Sequence, residues 1–432
     1  MTVIINNFNR FIRTGFFHIF GSSVANKIVA FLSSVVLVRI LSKTEYGAFT
    51  YAWNIFSMVL LLNGFGMETG VLQICSERSG DEKYAKRVCN SGSRFGLKFN
   101  ILLTVILLII GAFIPLKING AKEILFLLSL LPMVQLMYGL TTGYLRSQKR
   151  NHDYAKLTVI NTVMVFCVSV GGAFVFREKG MVLGYYVANV GSILLGFFWL
   201  RIRLISRDDQ LDQHDRKALI SISFVSMCNN GLSQLMYLLD VFVLGLLIPQ
   251  EILLASYRVA TIIPMALTFI PLSLVTYLYP YFAEHRNDGK WCLDRYKKIL
   301  LGLGTVNAVI SVGLFILAPF VIELLFGELY IDAVPVFRIL SINYFFSGTF
   351  RILSGNLLIT QRKLKFNLLV ALVSGCVNVI ADIILIRFYG QMGAAIASVF
   401  VVIISSGMST TYLVYTFRKA ARAWQTRSGQ SE

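Results

Sequence analysis

Twelve runs of roughly 20 apolar residues follow one another at 16–38, 46–71, 95–115, 121–145, 156–176, 180–200, 219–247, 252–280, 298–326, 333–360, 366–387 and 391–416. That is the length an α-helix needs to cross a bilayer. Hydrocarbon cannot satisfy backbone N–H and C=O groups, so each crossing must close its hydrogen bonds within itself as a helix. The fold class expected is an all-α polytopic membrane protein with twelve transmembrane helices. Of the 432 residues, 56% are hydrophobic and 14% charged, well below the roughly 25% charge of a soluble domain. The first residues lead straight into a full-length span, with no short apolar core and small-residue cleavage site, so that span is expected to be its own insertion signal.

The formal charge of +18 reads as topology rather than nucleic-acid binding. Assigning the segments between spans alternately to two sides puts about 29 Lys and Arg on the side of the N-terminus and about 7 on the other. By the positive-inside rule both termini are cytoplasmic. None of the six cysteines falls in an outer loop by this topology, so no structural disulfide is expected. The four histidines are scattered, and neither a metal site nor a cofactor is expected.

The outer loops are too short to build a catalytic site, which argues against a membrane-embedded polymerase or transferase and for a protein that is not an enzyme. No GxxxxGK[ST] phosphate loop occurs, so transport would draw on an ion gradient, the membrane potential or a substrate gradient. The polar stretch RIRLISRDDQLDQHDRK, 201–217, divides the chain into two expected six-helix bundles, 1–208 and 209–432, the second with a short basic tail. Asn161, Gly180 and Gly184 in helices 5 and 6 are echoed by Asn378, Gly390 and Gly393 in helices 11 and 12. Six helices per half makes these parallel repeats about an axis along the membrane normal, with a central cavity expected between them.

Polar residues inside the spans are the candidate site. Lys27 lies near the middle of the first span, on a stripe with Ser23, Asn26, Ala30, Ser33 and Ser34. A cation at the bilayer centre costs about 2.5–3.5 kcal/mol on insertion scales, so it is expected to face a wet or protein-lined space. A bland reading stays open, in which the small residues pack on a neighbouring helix and Lys27 snorkels or pairs with a carboxylate. Helix 7 carries a second stripe, Ser223, Ser226, Asn230, Ser233, Gln234, Tyr237 and Asp240. Asp240 and Arg258 stand at similar depth on either side of the helix 7–8 turn and are expected to pair, as a structural bridge or a gate. Pro264 and Pro271 are expected to bend helix 8. Helix 10 offers Asn343, Ser347, Arg351 and Ser354, and helix 11 Asn367, Ser374, Asn378 and Asp382. Lys27, Arg258 and Arg351 are the candidate anion-binding cations. Asp240 and Asp382 are the candidates for coupling or gating, and Asn26, Asn230, Gln234 and Asn378 for the polar lining. Arg338 and Glu68 sit near the ends of their spans and are weak candidates.

Four segments carry a family resemblance: VLVRILSKTEYGAF (Val36–Phe49), DVFVLGLLIPQEILLASYRVA (Asp240–Ala260), LLFGELYIDAVPVFRIL (Leu324–Leu340) and YGQMGAAIASV (Tyr389–Val399). In this order they resemble the Wzx-type polysaccharide-export flippases, in the superfamily that also holds multidrug exporters and the peptidoglycan-precursor flippase. The LLASY stretch departs from relatives that have Gly before the Tyr. The resemblance implies a V of two bundles around a cationic cavity in a bacterial cytoplasmic membrane. It implies an undecaprenyl-diphosphate-linked oligosaccharide, such as an O-antigen or other surface-polysaccharide repeat, moved from the cytoplasmic to the periplasmic leaflet by alternating access. Partners it implies are the lipid bilayer, a polysaccharide polymerase and chain-length regulator, and a coupling ion, H+ or Na+. A cation-coupled multidrug exporter of similar architecture is the alternative; it would prefer carboxylates in the cavity.

Overall fold

The computed structural model describes residues 16–78, 80–202 and 211–428. Every regular element among them is helical. In chain order these are α1 (Phe16–Ile40), α2 (Lys43–Leu60), α3 (Met67–Glu77), α4 (Glu82–Phe113), α5 (Ala121–Leu128), α6 (Leu131–Ser147), α7 (Asn151–Phe198) and α8 (Gln213–Leu247). They continue with α9 (Glu251–Leu267), α10 (Phe269–Glu284), α11 (Gly289–Ile316), α12 (Ala318–Phe326), α13 (Val334–Phe346), α14 (Ile352–Thr360), α15 (Leu364–Tyr389) and α16 (Gln391–Ser428). Among the described residues nine helices are long and apolar enough to cross a membrane, ten if the bent pair α5–α6 is one span. The 48-residue α7 supplies two of the expected spans, because it folds back at Phe176 and Arg177. Single crossings, several of them broken within, cover the rest; of α8, the expected seventh, Leu238–Leu247 is a shorter apolar helix.

The chain divides into two compact units, the first ending at Leu238 and the second starting at Leu239. The boundary expected at 208/209 lies outside the described residues, as do the two termini. In the first unit α1 packs along α7 and α6 packs on α3, α4 and α7. Its core joins Met67, Val71, Val88, Leu136, Leu140 and Leu157. The early part of α8 belongs here: Phe224 stacks on Phe65 at 5.4 Å and Asn54 Nδ2 donates to the Leu238 carbonyl at 3.1 Å. The second unit centres on Phe282, Tyr296, Leu353, Leu357, Leu413 and Phe417.

The Val36–Phe49 segment now has a local cause. Ser42 caps α2: its side chain accepts from Glu45 N, and Glu45 returns a bond to the Ser42 backbone N–H at 2.8 Å. This reciprocal box satisfies two donors that a helix start leaves open. Glu45 also receives Arg177 Nε at 2.9 Å and a terminal guanidinium nitrogen at 2.7 Å, a two-pronged clamp onto the fold in α7. Arg177 there holds φ 54°, ψ −137°, a region costly for a side-chain-bearing residue. Gly390, between α15 and α16, has nearly the same angles, φ 57° and ψ −133°. The hairpin echo between helices 5–6 and 11–12 thus extends to the shape of the turn.

Inside the α7 hairpin, Gly172 and Gly180 face each other so closely that a Cβ on either would overlap the other's backbone. Gly171, one residue away, has open space. We expect Gly180→Val to separate the limbs and sharply lower membrane abundance and Tm, whereas Gly171→Ala leaves both near the parental values. Fluorescence-detected size exclusion with a thermal ramp measures the two together.

Candidate functional site

A break in the second span shapes the first unit. Between α2 and α3 the chain makes a 3-10 turn, Asn63–Gly66, with Gly64, Phe65 and Gly66 all at positive φ. Such a break exposes backbone groups that hydrocarbon cannot satisfy. Asn100, fully buried on α4, satisfies them. Its Oδ1 accepts from Gly64 N at 2.7 Å, and its Nδ2 donates to Asn63 Oδ1 at 2.7 Å and to the Pro132 carbonyl at 2.8 Å. One amide therefore fixes the break to α4 and to the start of α6.

The broken segment forms one wall of a cavity of about 540 Å³, within the range of small-molecule sites, ~300–1,000 Å³. The amides of Asn63, Gln135, Asn161, Asn189, Asn230 and Gln234 line it. Tyr138 and Tyr185 add hydroxyls on aromatic rings, and Leu60, Val165 and Met227 add apolar surface. Glu68 contributes the carboxylate, lying against the bare backbone of Gly139, where any Cβ would collide with it. Asn161 Nδ2 reaches Ser192 Oγ at 3.0 Å and Asn189 Oδ1 at 3.3 Å, which fixes the amides of the two α7 limbs relative to each other.

The second unit holds a carboxylate cluster. Asp240 accepts from Tyr257 Oη at 3.0 Å, from Asn378 Nδ2 at 3.0 Å and from Ser398 Oγ. Asp382 is fully buried, one turn beyond the Asn378 that donates to Asp240. No group among the described residues donates to either Asp382 oxygen, nor does any donate to Asn378 Oδ1. Asn378 and Asp382 are one helical turn apart on α15. Buried oxygen acceptors in excess of donors call for a proton or a small hard cation held by oxygens. Two neighbouring buried carboxylates cannot both stay charged without one.

The structure thus brings Asn230 and Gln234 together in the first unit, and Asp240, Asn378 and Asp382 in the second. It does not form the expected Asp240–Arg258 pair. Tyr257, one residue earlier and about 100° away around α9, takes that face, and Arg258 is half-buried on another. Lys27 is exposed on α1, and Asn26 has a buried side-chain oxygen without a donor; neither lines the cavity. Arg351 is half-buried at the end of a π turn, Ser347–Arg351. The wider turn breaks the expected stripe: Ser347 and Ser354 point into the unit, where Ser354 meets Tyr296 Oη at 2.8 Å. Ser233 and Tyr237 side chains lie outside the described residues. Between Pro264 and Pro271, where a bend is expected, the helix is interrupted at Thr268, between α9 and α10. Asn189, Tyr185, Tyr257 and Ser398 were missed as site residues, and Glu68, a weak span-end candidate, lines the cavity. Tyr185, Asn189 and Ser192 recur at helical spacing on an apolar helix, a polar stripe of the kind that marks α8.

The family described as polysaccharide biosynthesis protein matches residues 36–335. The chain belongs to this family. It is 24% identical over 334 residues, 74% of this chain, to the lipopolysaccharide biosynthesis protein WzxC of Escherichia coli K12. That match spans 65% of the relative's length. Among solved structures, the lipid II flippase MurJ in an inward closed conformation superposes with a TM-score of 0.74 at 14% identity, covering 93% of this chain and 89% of that one. An inward-facing multidrug resistance MATE family transporter of the MOP superfamily gives 0.75 at 12%, covering 92% and 96%. The fold is shared with these solved structures, and the chain is a multi-pass membrane protein of a polysaccharide-biosynthesis family.

Replacing Asn100 with Leu strands the buried Gly64 N–H, at about 1–3 kcal/mol; we expect a Tm drop of several degrees and a collapsed cavity. For the cluster, Asp382→Asn supplies a donor facing Asp240 and should leave Tm unchanged or higher in buffer lacking the cation. Parental protein should gain Tm as Na+ or H+ concentration rises, since a ligand of the folded state stabilises by mass action, and the variant's response should be flat. A parental Tm indifferent to both ions removes the cation reading.

Proposed function

We propose that the chain is a flippase for an undecaprenyl-diphosphate-linked oligosaccharide, an O-antigen or other surface-polysaccharide repeat unit. It carries this lipid from the cytoplasmic to the periplasmic leaflet of a bacterial cytoplasmic membrane by alternating access, with both of its termini cytoplasmic. The observation that carries this reading is the cavity of the first unit. Amides present a donor and an acceptor side by side, as sugar hydroxyls require, and the tyrosines offer rings and hydroxyls together. A glycan headgroup cannot enter hydrocarbon unaided, whereas its polyprenyl tail can stay in lipid. Family membership and the fold shared with a lipid II flippase support the same reading.

Lys27, Arg258 and Arg351 are the cations proposed to offset the diphosphate, because a charge within a span is expensive unless used. Moving an anion outward against a negative cytoplasm gains about 2.3 kcal/mol per charge per 100 mV. The Asp240, Asn378 and Asp382 cluster is the proposed seat of a coupling H+ or Na+, in a separate unit from the sugar cavity. A polysaccharide polymerase and a chain-length regulator would take the product. No step of this cycle requires a covalent change.

A cation-coupled multidrug exporter is the second reading, favoured by one observation: Glu68 puts a carboxylate in the cavity wall. Complementation of a deletion strain separates the two. With membrane abundance unchanged, Glu68→Gln, Gln234→Ala, Lys27→Ala and Arg351→Ala should each cut surface polysaccharide at least tenfold and build up lipid-linked glycan on the cytoplasmic leaflet. Lys27→Arg should retain partial export, since charge rather than shape is its role. If polysaccharide stays at the parental level while susceptibility to cationic drugs rises, the exporter reading replaces the flippase.

A further inference from the structure

The first unit contains another concavity, about 280 Å³, on the side that the lysine and arginine excess assigns to the cytoplasm. Arg94, Lys98 and Arg216 converge on it, with Asn90 and Ser91 beside them and Phe95 as an apolar floor. The positive-inside bias accounts for cations at this level, but not for three of them around one hollow with no carboxylate among the described residues of its lining. Lys98 and Arg216 are both exposed. The carboxylate next to Arg216, Asp215, is occupied elsewhere: the Tyr84 hydroxyl holds its pKa below the usual range, helped by His214 and by Arg78 at 3.9 Å.

What lies above the hollow narrows its ligand. Arg94, Lys98, Leu102, Val105 and Ile109 recur at helical spacing on α4. The last three are exposed apolar side chains, as are Phe224 and Val225 two turns beyond Arg216 on α8. Cations therefore end where lipid-facing surface begins, the level of headgroup phosphates. Basic hollows between spans at that level recognise phosphorylated lipids.

We propose that this hollow seats the phosphate of a membrane lipid whose chain lies along the Leu102, Val105 and Ile109 stripe. The shared chemistry is a phosphate ester attached to a hydrocarbon chain; a bilayer phospholipid and a polyprenyl phosphate both supply it. The site lies apart from the amide cavity and stands whether or not that cavity binds sugar.

Native mass spectrometry of the full chain tests this with four probes: phosphatidylglycerol, phosphatidylcholine, undecaprenyl phosphate and inorganic pyrophosphate. Retention of phosphatidylglycerol or undecaprenyl phosphate over phosphatidylcholine is expected, and the preferred one names the source. Lys98→Gln and Arg216→Gln should each weaken it about fivefold, equivalent to about 1 kcal/mol per charge. Lys297→Gln with Lys298→Gln, exposed cations elsewhere on the basic side, should change nothing. Pyrophosphate, lacking a chain, should bind at least tenfold more weakly. Equal losses from the control pair, no preference over phosphatidylcholine, or equal binding of pyrophosphate each overturn the proposal. Should the Arg216→Gln variant not accumulate, Lys98→Gln alone carries the test.

Discussion

The Asn100 amide is the bond set on which the first unit depends. A helix in hydrocarbon has no reason to break, because every unpaired backbone group there costs several kcal/mol. The second span breaks nevertheless, through three consecutive residues at positive φ. One buried side chain supplies the missing donors and acceptor and ties the break to two other helices. Where a straight helix would present a smooth apolar face, the broken one opens a wall with Asn63, Glu68 and Thr69 on it. The polar cavity is thus a product of satisfied backbone chemistry, and its shape is set by α4 and α6 as much as by the residues lining it.

The second unit manages polarity differently. Around Tyr296, Asn307 and Ser354, hydroxyls and amides pair until little is left over: Tyr344 Oη donates to Asn307 at 2.9 Å, and Asn307 donates to Thr349 at 3.1 Å. The Asp240–Asp382 group is built with an excess of acceptors. Paired networks rigidify and specify a packing, whereas an unpaired buried carboxylate is costly unless a proton or cation visits it. That contrast within one unit separates polar residues that hold helices together from those available to a mobile charge.

Much of this architecture was legible in the chain. Length and apolarity alone marked the spans, since a bilayer leaves the backbone no other option. The stripe on α8 named Asn230, Gln234 and Asp240, and the polar positions of helix 11 named Asn378 and Asp382. Partnership was not legible. Depth matching brought Asp240 to the level of Arg258 but said nothing of rotation, and Tyr257 turned out to face it. A period of 3.6 presumes an unbroken helix, so the π turn before Ile352 and the reversal at Gly64–Gly66 rotated later residues off the faces assigned to them. Glu68 looked like a span-end residue for the same reason; the break turns it inward.

The clamp at the tip of α7 has a consequence for biogenesis. On the topology expected from the lysine and arginine count, Arg177 and Lys179 reach the far side of the membrane together, carried by a hairpin with little loop between its limbs. Their partners, Glu45 and Glu123, stand at the starts of α2 and α5, earlier in the chain. Ribosomal synthesis therefore delivers both carboxylates to that side before the cations arrive. Translocating the tip ends in waiting counter-charges rather than in solvent alone, and the order of residues along the polypeptide becomes an order of assembly.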